Sequence, residues 1–126
     1  FDLNLFCFLT GNADMHLKNF SLMQNEFGET ILSPAYDLLS TRLLMTEDKE
    51  EMALTVNGKK ARIKRKDFVA LGKNLQIAEK AIDNCFSRLL KQTSEMKEVI
   101  KNSFLSPELQ KCFNTLIDER AKALQM

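Results

Sequence analysis

The sequence predicts a mainly α-helical domain, a helical bundle with one or two small β-hairpins, on three observations. Apolar residues recur at helical spacing through 76–103 and again after Pro107. Short apolar runs flank NEFGE at 25–29 and Asn57-Gly58, as strands flank tight turns. The opening FDLNLFCFLT is apolar at nearly every position, which suits a helix buried on most of its surface.

Taken in order, residues 1–10 read as the end of a buried helix, stopped by Gly11-Asn12, and a loop follows through about Lys18. FSLMQ at 20–24 and TILS at 30–33 form a hairpin around Gly28, and Pro34 ends its second strand. LLSTRLLM then looks helical and EDKEE looks like a solvated acidic patch. In ALTVNGKKARI, Leu54 and Val56 alternate before the Asn-Gly turn, and Ala61 and Ile63 after it, so a second hairpin is expected. The basic residues between 59 and 66 fit the wet, charge-protected face of an edge strand better than a phosphate patch. A short helix begins with Asp67 as its cap. Over 76–103, one stripe holds Ile77, Ala78, Ala81, Ile82, Cys85, Phe86, Leu89, Leu90, Thr93, Met96 and Ile100. Ser106-Pro107 opens a last helix whose inner face is Leu109, Cys112, Phe113, Leu116, Ile117 and Leu124. These two helices are expected to pack on each other.

The 126 residues suit one domain, 1–126, with one core. At 44% apolar, 28% charged and a formal net charge of +1, the chain has no global field for nucleic acid. Three widely spaced cysteines, Cys7, Cys85 and Cys112, without a C-x-x-C pair, point to a reducing compartment. With no membrane-length apolar run and no secretory signal, the reading is cytoplasmic, with neither membrane nor direct nucleic-acid contact.

The chemistry concentrates in GNADMHLKNFSLM at 11–23 and SPAYDLL at 33–39. Asp14 and Asn19 have the spacing D-x-x-x-x-N, with Lys18 between them. Phosphoryl transfer needs such a set: a carboxylate for the nucleophile's proton, an amide oxygen for magnesium and a cation near the moving phosphoryl. A second magnesium carboxylate has to return after a hairpin, and Asp37 stands there. Helix end, loop, hairpin and acidic turn follow the order of a kinase catalytic lobe. His16 has no second His or paired Cys at ligand spacing, so it reads as a prop for the loop rather than a metal ligand. Lys18 is either a phosphate contact or a solvated cation. Tyr36 reads as a packed anchor for the turn before Asp37.

On these residues the chain resembles the HipA-like serine/threonine kinases, toxins of bacterial toxin–antitoxin modules. GNADMHLKNFSLM and LSPAYDLLST look like the family's catalytic and magnesium-binding segments, and MALTVNGKKARI is similar to a later one. The resemblance implies an α+β kinase C-terminal lobe, with ATP and magnesium as cofactors. It implies Asp14 as catalytic base, Asn19 and Asp37 as magnesium ligands, and His16 and Lys18 as loop residues that shape the site or meet phosphate. It further implies a protein serine as acceptor, in the best-known cases on an aminoacyl-tRNA synthetase, and a DNA-binding antitoxin as partner.

Tyr36-Asp37-Leu38 stands where eukaryotic kinases carry Asp-Phe-Gly, and the Asp-x-His-x-x-Asn pattern is also similar to lipid kinases. Only thirteen residues precede Asp14, without a Gly-rich loop or strand lysine, so the chain reads as a partial lobe lacking the nucleotide-binding N-lobe. Alone, it is expected not to transfer phosphate. The alternative is a helical binding module that contacts an antitoxin or another protein without turnover.

Overall fold

The computed structural model describes residues 1–45, 47 and 49–126. Helix α1 (Asp2–Thr10) buries Leu5, Cys7, Phe8 and Leu9 and packs against two later helices, α4 (Glu79–Lys91) and α6 (Pro107–Gln125). Its near-continuous apolar sequence is explained by these neighbours on different sides. Phe8 meets Phe68 edge-on at 5.4 Å between ring centroids, and Phe1 and Phe86 complete the aromatic cluster. Burial pushes the Cys7 thiol up to about 11, which makes it a core side chain rather than a reactive one.

Strands β1 (Leu22–Gln24) and β2 (Thr30–Leu32) form the expected hairpin, antiparallel with Met23 opposite Ile31. Asn25 organises its turn: its Oδ1 accepts the N–H groups of Phe27 and Glu29, each at 3.0 Å. The hairpin stands off the core, with Leu22 72% and Leu32 55% exposed. A short helix α2 (Thr41–Leu44) realises only part of the helix-like LLSTRLLM run.

The second hairpin does not form. Asn57 and Gly58 do make a left-handed turn, but beyond the Val56–Lys59 bridge the arms are joined by a Glu51 N–H to Lys60 O bond at 2.6 Å that is out of register with it, and among the described residues no ladder forms. Arg62 is itself left-handed at φ 53°, and Glu51 Oε2 takes the Ile63 N–H that a ladder would have used. The acidic patch is likewise not simply solvated. Asp48 lies outside the described residues, whereas Glu51 pairs with the buried Arg120 at 2.5 Å, and Arg120 stacks over the Phe8 ring. Of the basic run, Lys59, Lys60 and Arg65 pair with Asp67, Glu50 and Asp83, but the edge strand whose wet face they were expected to form is absent among the described residues.

Helix α3 (Arg65–Asn74) starts two residues before Asp67, which sits in its first turn instead of capping it. From there its Oδ2 accepts the Lys64 N–H at 3.0 Å, while Oδ1 accepts from Lys59 Nζ and Asn57 Nδ2. The 76–103 stripe is divided between α4 and α5 (Thr93–Lys101). At the joint the Gln92 N–H bonds Leu89 O, three residues back, and the Thr93 hydroxyl caps Leu90 O, so the helical ladder is broken. Ile82, Phe86, Leu89 and Ile100 face the core as expected, but Ala78 and Ala81 are exposed. Helix α6 opens as the sequence predicts, with Ser106 Oγ accepting the Leu109 N–H and Pro107 at the first position. It packs on α5, and also on α1, α2 and α3; its Cys112 is exposed rather than inward. Among the described residues no helix is long and apolar enough to cross a membrane.

Burial alone would raise the Asp67 carboxyl, but its hydrogen bonds and the Lys59 charge hold it below the usual carboxylate range. A folded-state value below the unfolded one stabilises the native state above the ordinary carboxylate range. That contribution is lost as the pH falls through the lowered value. Asp67→Asn is expected to cost about 2 kcal/mol near neutral pH. Urea titrations should show the gap between wild type and variant narrowing in acid.

Candidate active site

The site begins where α1 must stop. Gly11 adopts φ 71° and ψ 29°, and the N–H groups of Gly11 and Asn12 return to Phe8 O and Cys7 O to close the helix end. A Cβ on Gly11 would lie 2.6 Å from Leu116 Cδ2 and 3.1 Å from Arg42 Cβ, so glycine is required by backbone and by space. Beyond it the loop is held from beneath by two buried residues, Asn12 and Met15. Asn12 Oδ1 accepts the Asp14 N–H at 3.1 Å and thereby turns the Asp14 side chain outward.

Asp14 presents a carboxylate that is 61% exposed, with His16 Nε2 at 3.9 Å from its Oδ1. The backbone of Asp14 is pinned: its carbonyl accepts the His16 N–H at 2.8 Å and Asn19 Nδ2 at 3.1 Å. His16 Nδ1 is buried without a partner among the described residues, and the His16 carbonyl receives the Asn19 N–H at 2.9 Å. The tight turn Leu17–Asn19 projects Lys18 into solvent, its ammonium unpaired among the described residues, and brings Asn19 back to a position only 9% exposed. Because Asn19 Nδ2 is committed to Asp14 O, the amide orientation is set and Oδ1 is left without a protein donor among the described residues.

Asp37 arrives from the far side of the hairpin. It is exposed, at φ 52°, and its carboxylate has no partner among the described residues. Two hydroxyl side chains, Tyr36 and Thr41, bring its segment to the Asp14 loop. Tyr36 donates its hydroxyl proton to Lys18 O at 3.1 Å, and its oxygen lies 2.6 Å from Ser21 Oγ. Thr41 Oγ1 accepts the Ala13 N–H at 2.9 Å and donates to Gly11 O, which also receives the Arg42 N–H. Asp14, His16, Lys18 and Asn19 thus share one loop, and Asp37 is tied next to it. Tyr36 anchors its turn as expected, but through its hydroxyl and while partly exposed.

The donor set suits a hard cation: an amide oxygen held in one orientation and a carboxylate free of ion pairs. Among the described residues no three His, Cys, Asp or Glu side chains gather as a metal cluster. A cation here would therefore take few protein ligands and need oxygen atoms from elsewhere, which is the habit of magnesium beside phosphate. Sequence reasoning missed Asn12, Ser21 and Thr41. For Thr41 a signal existed, since Ser40-Thr41 before Leu43-Leu44 has the composition of a helix start.

The model of the HipA-like C-terminal domain family matches residues 1–97. Over 79 residues, 62% of this chain, it is 37% identical to "Putative kinase Y4dM" of Sinorhizobium fredii, of which it spans 19%. Its fold is similar to that of a chain in the solved Shewanella oneidensis MR-1 toxin–antitoxin complex of HipA, HipB and operator DNA. There the TM-score is 0.82 at 22% identity, covering 98% of this chain and 30% of that one. The chain thus spans less than a third of each of these two proteins.

Gly11→Ala is expected to destabilise the protein by about 2–4 kcal/mol, combining the left-handed backbone with the contact to Leu116. Its denaturation midpoint measures the loss.

Proposed function

Since the chain belongs to the HipA-like C-terminal domain family, we propose that it is the catalytic portion of a magnesium- and ATP-dependent protein serine/threonine kinase. The observation that supports this most is the tie between the two acidic loops: Tyr36 and Thr41 fasten the Asp37 segment to the loop carrying Asp14 and Asn19. Two exposed carboxylates and an oriented amide are then carried on loops fastened to each other, Asp14 with only the distant His16 contact at 3.9 Å and Asp37 without a partner among the described residues.

In this reading Asp14 accepts the proton of the acceptor serine hydroxyl while the serine oxygen attacks the γ-phosphorus of ATP and the bond to the ADP oxygen breaks. The exposed carboxylate is open to an incoming side chain, and the Asn12 and Asn19 contacts keep its backbone from drifting. Asn19 Oδ1 and Asp37 would hold magnesium, which when bound neutralises phosphate charge. Lys18 adds a mobile cation for a transferring phosphoryl oxygen. His16 shapes the loop through its backbone bonds to Asp14 and Asn19, and its ring, beside Asp14, would meet phosphate when nucleotide is bound. The fold likeness to a chain from a complex with HipB supports a DNA-binding antitoxin as partner. The protein acceptor, an aminoacyl-tRNA synthetase in the resembled family, stands on the resemblance alone.

A second reading, a binding module without turnover, draws on the exposed apolar residues of the hairpin, Leu22, Met23, Phe27, Ile31 and Leu32. One assay separates the two. The product of the full reading frame should incorporate labelled phosphate from ATP and magnesium into itself or a lysate protein. Asp14→Asn and Asp37→Asn are each expected to reduce transfer by at least about 100-fold. A folded protein that binds no nucleotide and transfers nothing would exclude the kinase and leave the binding module.

A further inference from the structure

Asp37 is the less supported of the two acidic groups of the site. With Leu38 and Leu39 it makes no hydrogen bond to other described residues, and its φ of 52° is one that non-glycine residues seldom adopt. Its direction must therefore be imposed from the two ends of its segment. At the near end the Tyr36 hydroxyl joins Lys18 O and Ser21 Oγ, on either side of Asn19. At the far end the Thr41 hydroxyl joins Gly11 O and the Ala13 N–H, the latter just before Asp14.

We propose that Tyr36 and Thr41 are positioning residues, a two-ended clasp that sets Asp37 against Asn19 and Asp14 so that one divalent cation can be shared between the loops. The inference rests on the phosphotransfer reading and extends it to residues that touch neither substrate nor metal. Each end is anchored to a different part of the loop. Tyr36 controls the approach to the amide ligand, and Thr41 the approach to the base. Loss of either hydroxyl leaves the segment fastened at one end, so Asp37 swings away from Asn19 while the core beneath is unchanged. Loss of a merely stabilising contact would instead lower the melting temperature and leave metal affinity alone.

The test uses the product of the full reading frame as wild type, Tyr36→Phe, Thr41→Val, Thr41→Ser and Asp37→Asn. Mn²⁺ binding in the presence of a non-hydrolysable ATP analogue is followed by electron paramagnetic resonance, beside the Mg²⁺ dependence of phosphate transfer and the melting temperature. Tyr36→Phe and Thr41→Val should each weaken Mn²⁺ binding and raise the half-saturating Mg²⁺ concentration by about 5–10-fold, and Thr41→Ser should restore both. Unchanged Mn²⁺ affinity and Mg²⁺ dependence in both variants would overturn the clasp, whatever their melting temperatures. If Thr41→Val does not fold, Tyr36→Phe decides, because its partly exposed ring remains in place. Should Asp37→Asn itself leave Mn²⁺ binding intact, the phosphotransfer reading fails, and the clasp with it.

Discussion

The left-handed turn at Gly11 is the constraint on which the rest of the site depends. Helix α1 is held in the core by α4 and α6, and its last residues are among the most buried in the molecule. The chain has to leave that core between Thr10 and Asp14, with Gly11 and Asn12 still buried, to place a carboxylate in solvent. A left-handed residue reverses the chain direction at once, and its own backbone bonds satisfy the helix end. Leu116, Arg42 and Ser40 close around Gly11, so the same point is where α6 and the Asp37-bearing segment converge. The acidic loops are near one another because both are built on this junction.

Charge does the fastening farther out. Arg120, buried on α6, lies over the Phe8 ring and binds Glu51, whose other oxygen takes the Ile63 N–H. An irregular segment of the chain is thereby held to α1 and α6 without strands of its own. Asp67 repeats the arrangement at the start of α3, gathering Asn57, Lys59 and the Lys64 N–H. A buried carboxylate with several donors specifies one geometry, because losing any partner leaves charge in a poor solvent. The site has the opposite character: Asp14 and Asp37 are exposed, and among the described residues Asp14 has only His16 at 3.9 Å and Asp37 has no partner, which leaves them available to ligands.

Much of the fold could be read locally. Gly11 as a helix stop, the Asn25–Gly28 turn, the Asn57-Gly58 turn and the Ser106-Pro107 helix start all follow from what a few neighbouring residues prefer. The errors share one cause. Asp67 was expected as a cap and the 76–103 stripe as continuous, because composition shows that a residue favours a helix start or an apolar face but not where the ladder yields. The second hairpin failed for the same reason, since Glu51 and Arg62 redirect bonds that the alternation promised.

The sequence by itself determined the residue types of the proposed site and their order along the chain: Asp14, His16, Lys18 and Asn19 on one loop, and Asp37 after a hairpin. It also carried the family likeness. Only the tertiary structure decided how the loops meet, through Thr41 to Ala13 and Tyr36 to Lys18, contacts spanning 28 and 18 residues. Turn and cap preferences act over three or four residues and leave a mark in composition. A hydroxyl that bridges two distant backbones leaves none, because its partners are brought within reach only when the core beneath them has packed.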